Sequence, residues 1–210
     1  MEFKYFGIVR NLLDTVEREE HEHMEQAVDL LFDSVQLMLD TTPITHTSSM
    51  ERLVGYGRQI ARDKASFAPG DVLIVHSVSG RNPVGIEIAM AAREAGARVV
   101  AVTNLTYSRS VTSRHPSGKR LFEIADVVLD NHGDVGDAAV EIDGMDQKVS
   151  PTSTVIGAAM LDAIIAALVQ KLVDAGMERP PVFYSANLDG GDELNRKLFA
   201  EYADCIHYEL

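Results

Sequence analysis

Val72-Leu73-Ile74-Val75-His76-Ser77-Val78-Ser79-Gly80-Arg81-Asn82-Pro83 is the stretch on which the fold turns. The turn Pro69-Gly70-Asp71 precedes a continuous apolar run, as expected for a strand covered on both faces of a parallel sheet. Ser77 to Asn82 then reads as a polar loop. Asn82 followed by Pro83 is the pattern of a helix N-cap with proline at the first helical position. The helix that follows carries Val84, Ile88, Ala91, Ala92 and Ala95 inward and stops at Gly96. Arg98-Val99-Val100-Ala101-Val102-Thr103 is the next strand, which completes a βαβ unit with a right-handed crossover.

The same alternation extends in both directions. Residues 9–39 have apolar positions near helical spacing, including Leu12, Val16, Met24, Val28, Leu31 and Val35, with acids between them. Residues 41–49 form a Thr- and Ser-rich loop, and residues 51–61 a helix weakened by Gly55 and Gly57. Downstream come a short helix at 121–125, a third strand at 127–129 and a fourth at 139–142. Ser150-Pro151-Thr152-Ser153-Thr154 opens an Ala-rich helix ending near Gly176. It is apolar on most faces, so it is expected in the core or in a subunit interface. Residues 182–185 read as extended, and a last helix starts at Asp192 as its N-cap. The expected architecture is α/β, a three-layer α/β/α sandwich with a parallel sheet, preceded by a long N-terminal helix.

Composition narrows the function. The 210 residues carry a formal net charge of −13, which disfavours nucleic acid and anionic membrane surfaces as partners. A small phosphate remains compatible, because local donors in a desolvated pocket outweigh a distant field. Cys205 is the only cysteine, so no intrachain disulfide can form and a cytoplasmic setting is expected. No signal peptide pattern opens the chain, and Asp162, Gln170 and Lys171 interrupt the most apolar run, residues 155–172.

Ligands of open parallel sheets bind beyond the carboxyl ends of the strands. Two strands here end in hydroxyl or amide residues, at Ser77-Val78-Ser79-Gly80 and at Thr103-Asn104. The first loop runs into a helix N-terminus, where amide N–H groups and the helix dipole favour an anion and Gly80 allows close approach. Taken alone, it fits an ordinary turn with an Asn cap equally well. Thr152-Ser153-Thr154 is a second hydroxyl cluster at a helix start, and simple N-capping explains it when taken alone. Between residues 104 and 122 stand Arg109, Arg114, His115, Lys119 and Arg120 with no acid, a positive island in an acidic chain. Metal is not expected: His21-Glu22-His23 with Glu25 lacks H-E-x-x-H spacing, and residues 187–192 lack calcium-loop spacing. With no dinucleotide fingerprint, no cofactor is expected.

Ser77-Val78-Ser79-Gly80-Arg81-Asn82, Thr103-Asn104, Ser113-Arg114-His115, Pro151 to Thr154 and Ser185-Ala186-Asn187-Leu188-Asp189-Gly190-Gly191-Asp192 together resemble the sugar isomerase (SIS) domain superfamily. Within it they look most like the bacterial branch called UPF0309 or phosphoheptose isomerase-like. The resemblance implies a flavodoxin-like, five-stranded parallel sheet and a division into residues 1–36, a helix packing on the domain or a partner subunit, and residues 37–210, a phosphosugar-binding domain. It implies a sugar phosphate held by Ser77, Ser79, Gly80, Arg81, Asn82, Thr103, Asn104, Thr152, Ser153 and Thr154, with Asn187 and Asp189 facing it, and homodimers or homotetramers.

One departure stands out. Family sequences place a strand, a loop and a helix between the positions matching Ser34 and Leu37, and here that unit is missing. Its loss would remove a central strand and one wall of the site. Either the chain carries a deletion or the intact molecule is heavier than the 23.0 kDa of this sequence, which an intact-mass measurement decides. The implied activity is aldose–ketose isomerisation of a phosphosugar, with Glu51 as base, His115 as acid or ring-opening group and His46 behind them. A non-catalytic sugar-phosphate sensor and an amino-sugar-phosphate lyase or deaminase are the alternatives.

Overall fold

The computed structural model describes residues 48–65 and 67–203, together with Arg10. The expected N-terminal helix, the 34–37 junction and His46 lie outside the described residues. The described residues fall into two compact units, divided between Leu161 and Asp162.

The larger unit is built on the βαβ unit. Helix α1 (Tyr56–Lys64) precedes β1 (Val72–His76), α2 (Pro83–Glu94), β2 (Arg98–Thr103), α3 (Leu105–Ser110), a 3₁₀ turn (Leu121–Glu123) and β3 (Val127–Asp130). The three strands are parallel in the order β1-β2-β3, with Val75 opposite Ala101 and Val102 opposite Leu129. Ile86, Ala89 and Ala92 of α2 pack on Val99 and Ala101 of β2 and on Leu121 and Ile124. The small alanines let helix and strand approach closely. Burial of Ile86, Val99 and Leu121 contributes on the order of 2 kcal/mol each.

The inward face of α2 differs from the expected one. Val84, Ile88, Ala91 and Ala95 are only half-buried, whereas Pro83, Ile86, Glu87, Ala89 and Ala92 are buried. The cause is a second packing partner. A Cβ on Gly57 of α1 would stand 2.5 Å from the Val84 carbonyl oxygen and 2.7 Å from Glu87 Cβ, so α1 rests on the first turns of α2. The helix therefore serves the sheet with one stripe and α1 with another.

The sheet also departs from expectation. The described residues hold three parallel strands, not five. The fourth strand is real but forms a separate antiparallel pair, β4 (Ala138–Val140) with β5 (Val149–Pro151). A parallel partner needs a crossover of about a dozen residues, and the short connection from Asp130 to Ala138 leaves no room for one. Residues 150 and 151, expected to open a helix, instead belong to β5. Strand β1 has β2 as its one partner strand among the described residues, and Val72 and Ile74 are 61% and 42% exposed. The expectation that both faces of β1 are covered does not hold.

Helix α4 (Ser153–Asp174) crosses the boundary of the two units. Its first turns meet β1 where Gly157 accommodates the His76 ring, since a Cβ there would stand 2.4 Å from His76 Cε1. Small residues, Ala159 and Ala163, are buried, but Val155, Ile156, Ile165, Leu168 and Val173 are exposed, so of the two expected settings, core or subunit interface, the single chain does not supply the first for this face. By length and composition alone α4 is apolar enough to cross a bilayer, even with Asp162, Gln170 and Lys171 in it.

In the smaller unit, α5 (Gly191–Glu201) starts at Gly190, with φ of 81°, and not at Asp192. Gly191 lies so close to the Ser185 carbonyl that a Cβ would sit 2.2 Å from it. The segment before it runs without strand pairing. Asn195 instead takes both backbone groups of Tyr184, at 2.8 and 2.9 Å.

Candidate functional site

The loop after β1 is held by its carbonyls. Val78 oxygen accepts from the Asn104 amide at 3.0 Å and from Thr103 Oγ1 at 2.9 Å. Gly80 oxygen accepts from the Leu121 amide at 2.8 Å, and Arg81 oxygen from the Arg114 amide at 2.9 Å. Each carbonyl turned into the protein leaves the N–H of the same trans peptide, on Ser79, Arg81 and Asn82, pointing the other way. The amides of Ser79, Gly80 and Arg81 meet no acceptor among the described residues. Gly80 has φ of 58°, the left-handed conformation that makes successive N–H groups converge on an anion. A side chain there is also excluded by space, because a Cβ would stand 3.1 Å from Ser108 Oγ and 3.2 Å from Leu121 Cβ.

The loop delivers this concavity to the head of α2. Asn82 was expected to cap that helix, but it makes no cap bond. Its Oδ1 accepts from Arg114 Nη1 at 2.8 Å. No acid stands in the first turn of α2. Arg81 lies beside it with Nε buried and unpartnered and Nη2 3.5 Å from Thr112 Oγ1. The helix dipole, the outward amides and two guanidinium groups thus share one sign.

The positive island divides. Arg114 serves the loop. Arg120 instead donates to the carbonyls of Ser108, Arg109 and Val111, pairs with Glu123 and lies over the Phe122 ring. That hydrogen bond holds the Glu123 carboxyl below the usual range. Arg120 therefore closes the end of α3, a helix that no sequence reading anticipated although Asn104 is a sound N-cap for it.

Thr103 and Asn104 are fully buried. Thr103 ties down the Val78 carbonyl, while Asn104 Oδ1 accepts from the Tyr107 amide at 2.8 Å and Nδ2 reaches the Asp134 carbonyl at 3.4 Å. Both shape the site from behind.

Within the second hydroxyl cluster, Ser153 is already engaged. Asp137 accepts from the Ser153 amide at 2.9 Å and from Ser153 Oγ with its other oxygen. An internal carboxylate therefore sits where an external anion would bind at the head of α4. Thr154 is exposed. Thr152 Oγ1 lies 3.1 Å from the place where a Gly133 Cβ would stand.

Glu51 and His115 are brought to α2 from two sides. The Glu51 carbonyl accepts from the Val84 amide at 3.2 Å. His115 Nε2 stands 3.5 Å from the buried Glu87 carboxylate. Glu87 also accepts the amides of Gly55, Gly57 and Arg58, at 2.6, 2.9 and 3.3 Å, so it fixes the start of α1 as well. Because the Ser117 amide donates to His115 Nδ1 at 3.2 Å, the neutral ring carries its proton on Nε2, facing Glu87. Glu87 was missed because an acid inside a helix reads as a solvent-facing residue. Asp137 was missed because its partner is distant in sequence. Asn187 and Asp189 are exposed in the smaller unit. Among the described residues, no group of three or more His, Cys, Asp or Glu is placed to hold a metal.

Comparison with known proteins fits this geometry. The family described as SIS domain matches residues 35–104, which include α1, β1, the loop and β2. A UPF0309 protein of Shouchella clausii is 51% identical over 175 residues, covering 83% of this chain and 70% of the relative. One from Oceanobacillus iheyensis is 50% identical over the same shares. One from Streptomyces coelicolor is 39% identical over 81% of this chain and 67% of the relative.

Proposed function

The chain belongs to the UPF0309 family of SIS-domain proteins, and on that premise we propose that it binds a sugar phosphate with the phosphate on the Ser79–Arg81 amides at the head of α2. SIS domains are carbohydrate-derivative-binding domains, so the class of ligand follows from the family. The observation that carries the phosphate placement is the combination of acceptor-free amides, an acid-free first helical turn and two arginines.

For activity, we favour aldose–ketose isomerisation. A base takes the proton α to the carbonyl and an acid serves the oxygen. Glu51 is half-buried with its carbonyl on the Val84 amide in the first turn of α2 and serves as the base, and His115, 3.5 Å from the Glu87 carboxylate, is the acid. The test is proton exchange: pure protein with aldose and ketose phosphates in D₂O should incorporate deuterium at the α-carbon, and Glu51→Gln should abolish it. Absence of exchange across the panel removes the isomerase reading.

One observation favours a second reading. Both His115 nitrogens are engaged within the protein, Nδ1 by Ser117 and Nε2 toward Glu87. A sensor that binds without turnover needs no free imidazole. Tight sugar-phosphate binding without exchange is its signature. Homo-oligomerisation is supported by the exposed apolar residues of α4, which a second copy would cover. Sedimentation should then report a dimer or tetramer, and a monomer would remove this part of the reading.

A further inference from the structure

A charge taken out of water is costly unless it is paired and fully hydrogen-bonded. Among the described residues one ionisable side chain is buried, Glu87 of α2, at 2% exposure. Half of its surroundings explain it by stability alone. Its oxygens accept from the amides of Gly55, Gly57 and Arg58. Those N–H groups stand at the head of α1, which has no side-chain cap and no acid in its own first turn. Glu87 is thus a cap supplied from a neighbouring helix.

Capping does not explain the other side. His115 Nε2 stands 3.5 Å from Glu87 Oε1, and the two side chains are 14% and 3% exposed. At that burial the attraction between an N–H and a carboxylate is far less screened than at the surface. His115 belongs to a turn, residues 113–119, that is braced from within. Ser113 Oγ accepts from the His115 amide at 3.0 Å and donates to the Lys119 carbonyl at 2.7 Å. Ser117 Oγ lies 2.8 Å from His115 Nδ1 and accepts from the Lys119 amide at 3.2 Å. The Gly118 amide donates to the His115 carbonyl at 3.0 Å. A turn braced in this way shifts as one piece.

Two adjacent residues tie that piece to α2 and to the loop before it. Arg114 donates its amide to the Arg81 carbonyl and Nη1 to Asn82 Oδ1. His115 reaches Glu87, further along the helix. Holding the piece at His115 therefore fixes where the Arg114 guanidinium stands.

We propose that Glu87 is a positioning residue for anion binding: through His115 it anchors the 113–119 turn on α2 and so holds Arg114 at the loop after β1. The inference rests on the phosphate placement proposed above and adds what keeps one of its two arginines in place. The sign of the effect separates anchoring from charge. An acid near an anion site repels the anion, so loss of the Glu87 charge alone would tighten phosphate binding. Loss of the anchor weakens it.

The experiment is calorimetric titration of the full chain with inorganic phosphate, on Glu87→Gln, His115→Gln, Arg114→Ala and their pairs. Glu87→Gln keeps an acceptor for the α1 amides and removes the charge. His115→Gln leaves the α1 cap untouched, so it carries the test even if the first variant misfolds. Each of the two should weaken phosphate binding about fivefold, and the two together no more than either alone. Neither should weaken it further in Arg114→Ala, where the group they position is already gone. A loss below about twofold in His115→Gln, additive losses, a tightening in Glu87→Gln, or a further loss on top of Arg114→Ala overturns the anchor. In each of these cases saturable wild-type binding that Arg114→Ala weakens leaves the phosphate placement standing. A wild type that binds no phosphate overturns both.

Discussion

The heads of α2 and α4 look alike in sequence and differ in what they can bind. Each follows a strand and a run of hydroxyl residues, Ser77-Val78-Ser79 in one case and Thr152-Ser153-Thr154 in the other. At α4 the Ser153 amide and hydroxyl both go to Asp137. At α2 the expected cap, Asn82, is turned aside to Arg114, and no acid replaces it. The heads of α1 and α3 follow the α4 pattern, with Glu87 on the α1 amides and Asp130 with Asn104 on those of α3. A helix N-terminus attracts anions only while its N–H groups are unspent. At the head of α2 Pro83 has no N–H and Val84 gives its own to the Glu51 carbonyl, but the loop amides of Ser79, Gly80 and Arg81 just before it meet no acceptor among the described residues.

Substitutions can break that contrast, and the largest effect is expected at the arginines. Removing Arg81 and Arg114 together should weaken phosphate binding by about a hundredfold, from charge-assisted bonds worth about tenfold each after solvent screening. Ser153→Ala should leave phosphate affinity within twofold while lowering the melting temperature. Calorimetry with inorganic phosphate separates the two, and an equal loss in both would erase the distinction. Next comes Gly80→Ala. Its left-handed backbone and the 3.1 Å approach to Ser108 Oγ should cost about 1–3 kcal/mol in urea unfolding and weaken phosphate binding by about tenfold.

Asp137 offers a sharper variant of the same contrast. Asp137→Ala should cost about 1–2 kcal/mol as a lost cap. Asp137→Asn should cost less, since it keeps an acceptor and tolerates the φ of 74° at this position. Freed of its internal acid, the α4 head should then take up a second, weak phosphate in the alanine variant. A stoichiometry that stays at one would show that an unspent helix head is not enough without arginines.

The smallest effect is expected at the far edge of the sheet. The Asp126 carboxyl is held below the usual range, first by the Val99 amide and then by Arg98 and Arg93. A carboxyl lowered in the fold contributes stability above its ordinary titration range and loses it as pH falls through the folded value. The wild-type melting temperature should therefore drop on acidification more steeply than that of Asp126→Asn, with phosphate affinity unchanged at neutral pH. Parallel melting curves would contradict this.

The βαβ unit was legible because apolar runs, Asn82-Pro83 and Gly96 each follow from local chemistry. Strand β2 lies where the pattern placed it. The antiparallel β4–β5 pair was not legible, because pairing partners and direction depend on connection length and not on composition. The exposure of α4 was not legible either: an apolar helix states that it needs cover but not what supplies it. At the site, the loop and its glycine could be read from sequence. Asp137 and Glu87 could not, because each acts on a residue that only the folded chain brings near.

The most direct test is an amide ¹⁵N NMR titration with inorganic phosphate. The account predicts saturable shifts at Ser79, Gly80 and Arg81 with little change at Ser153. Shifts at Ser153 with the loop after β1 unmoved would contradict it.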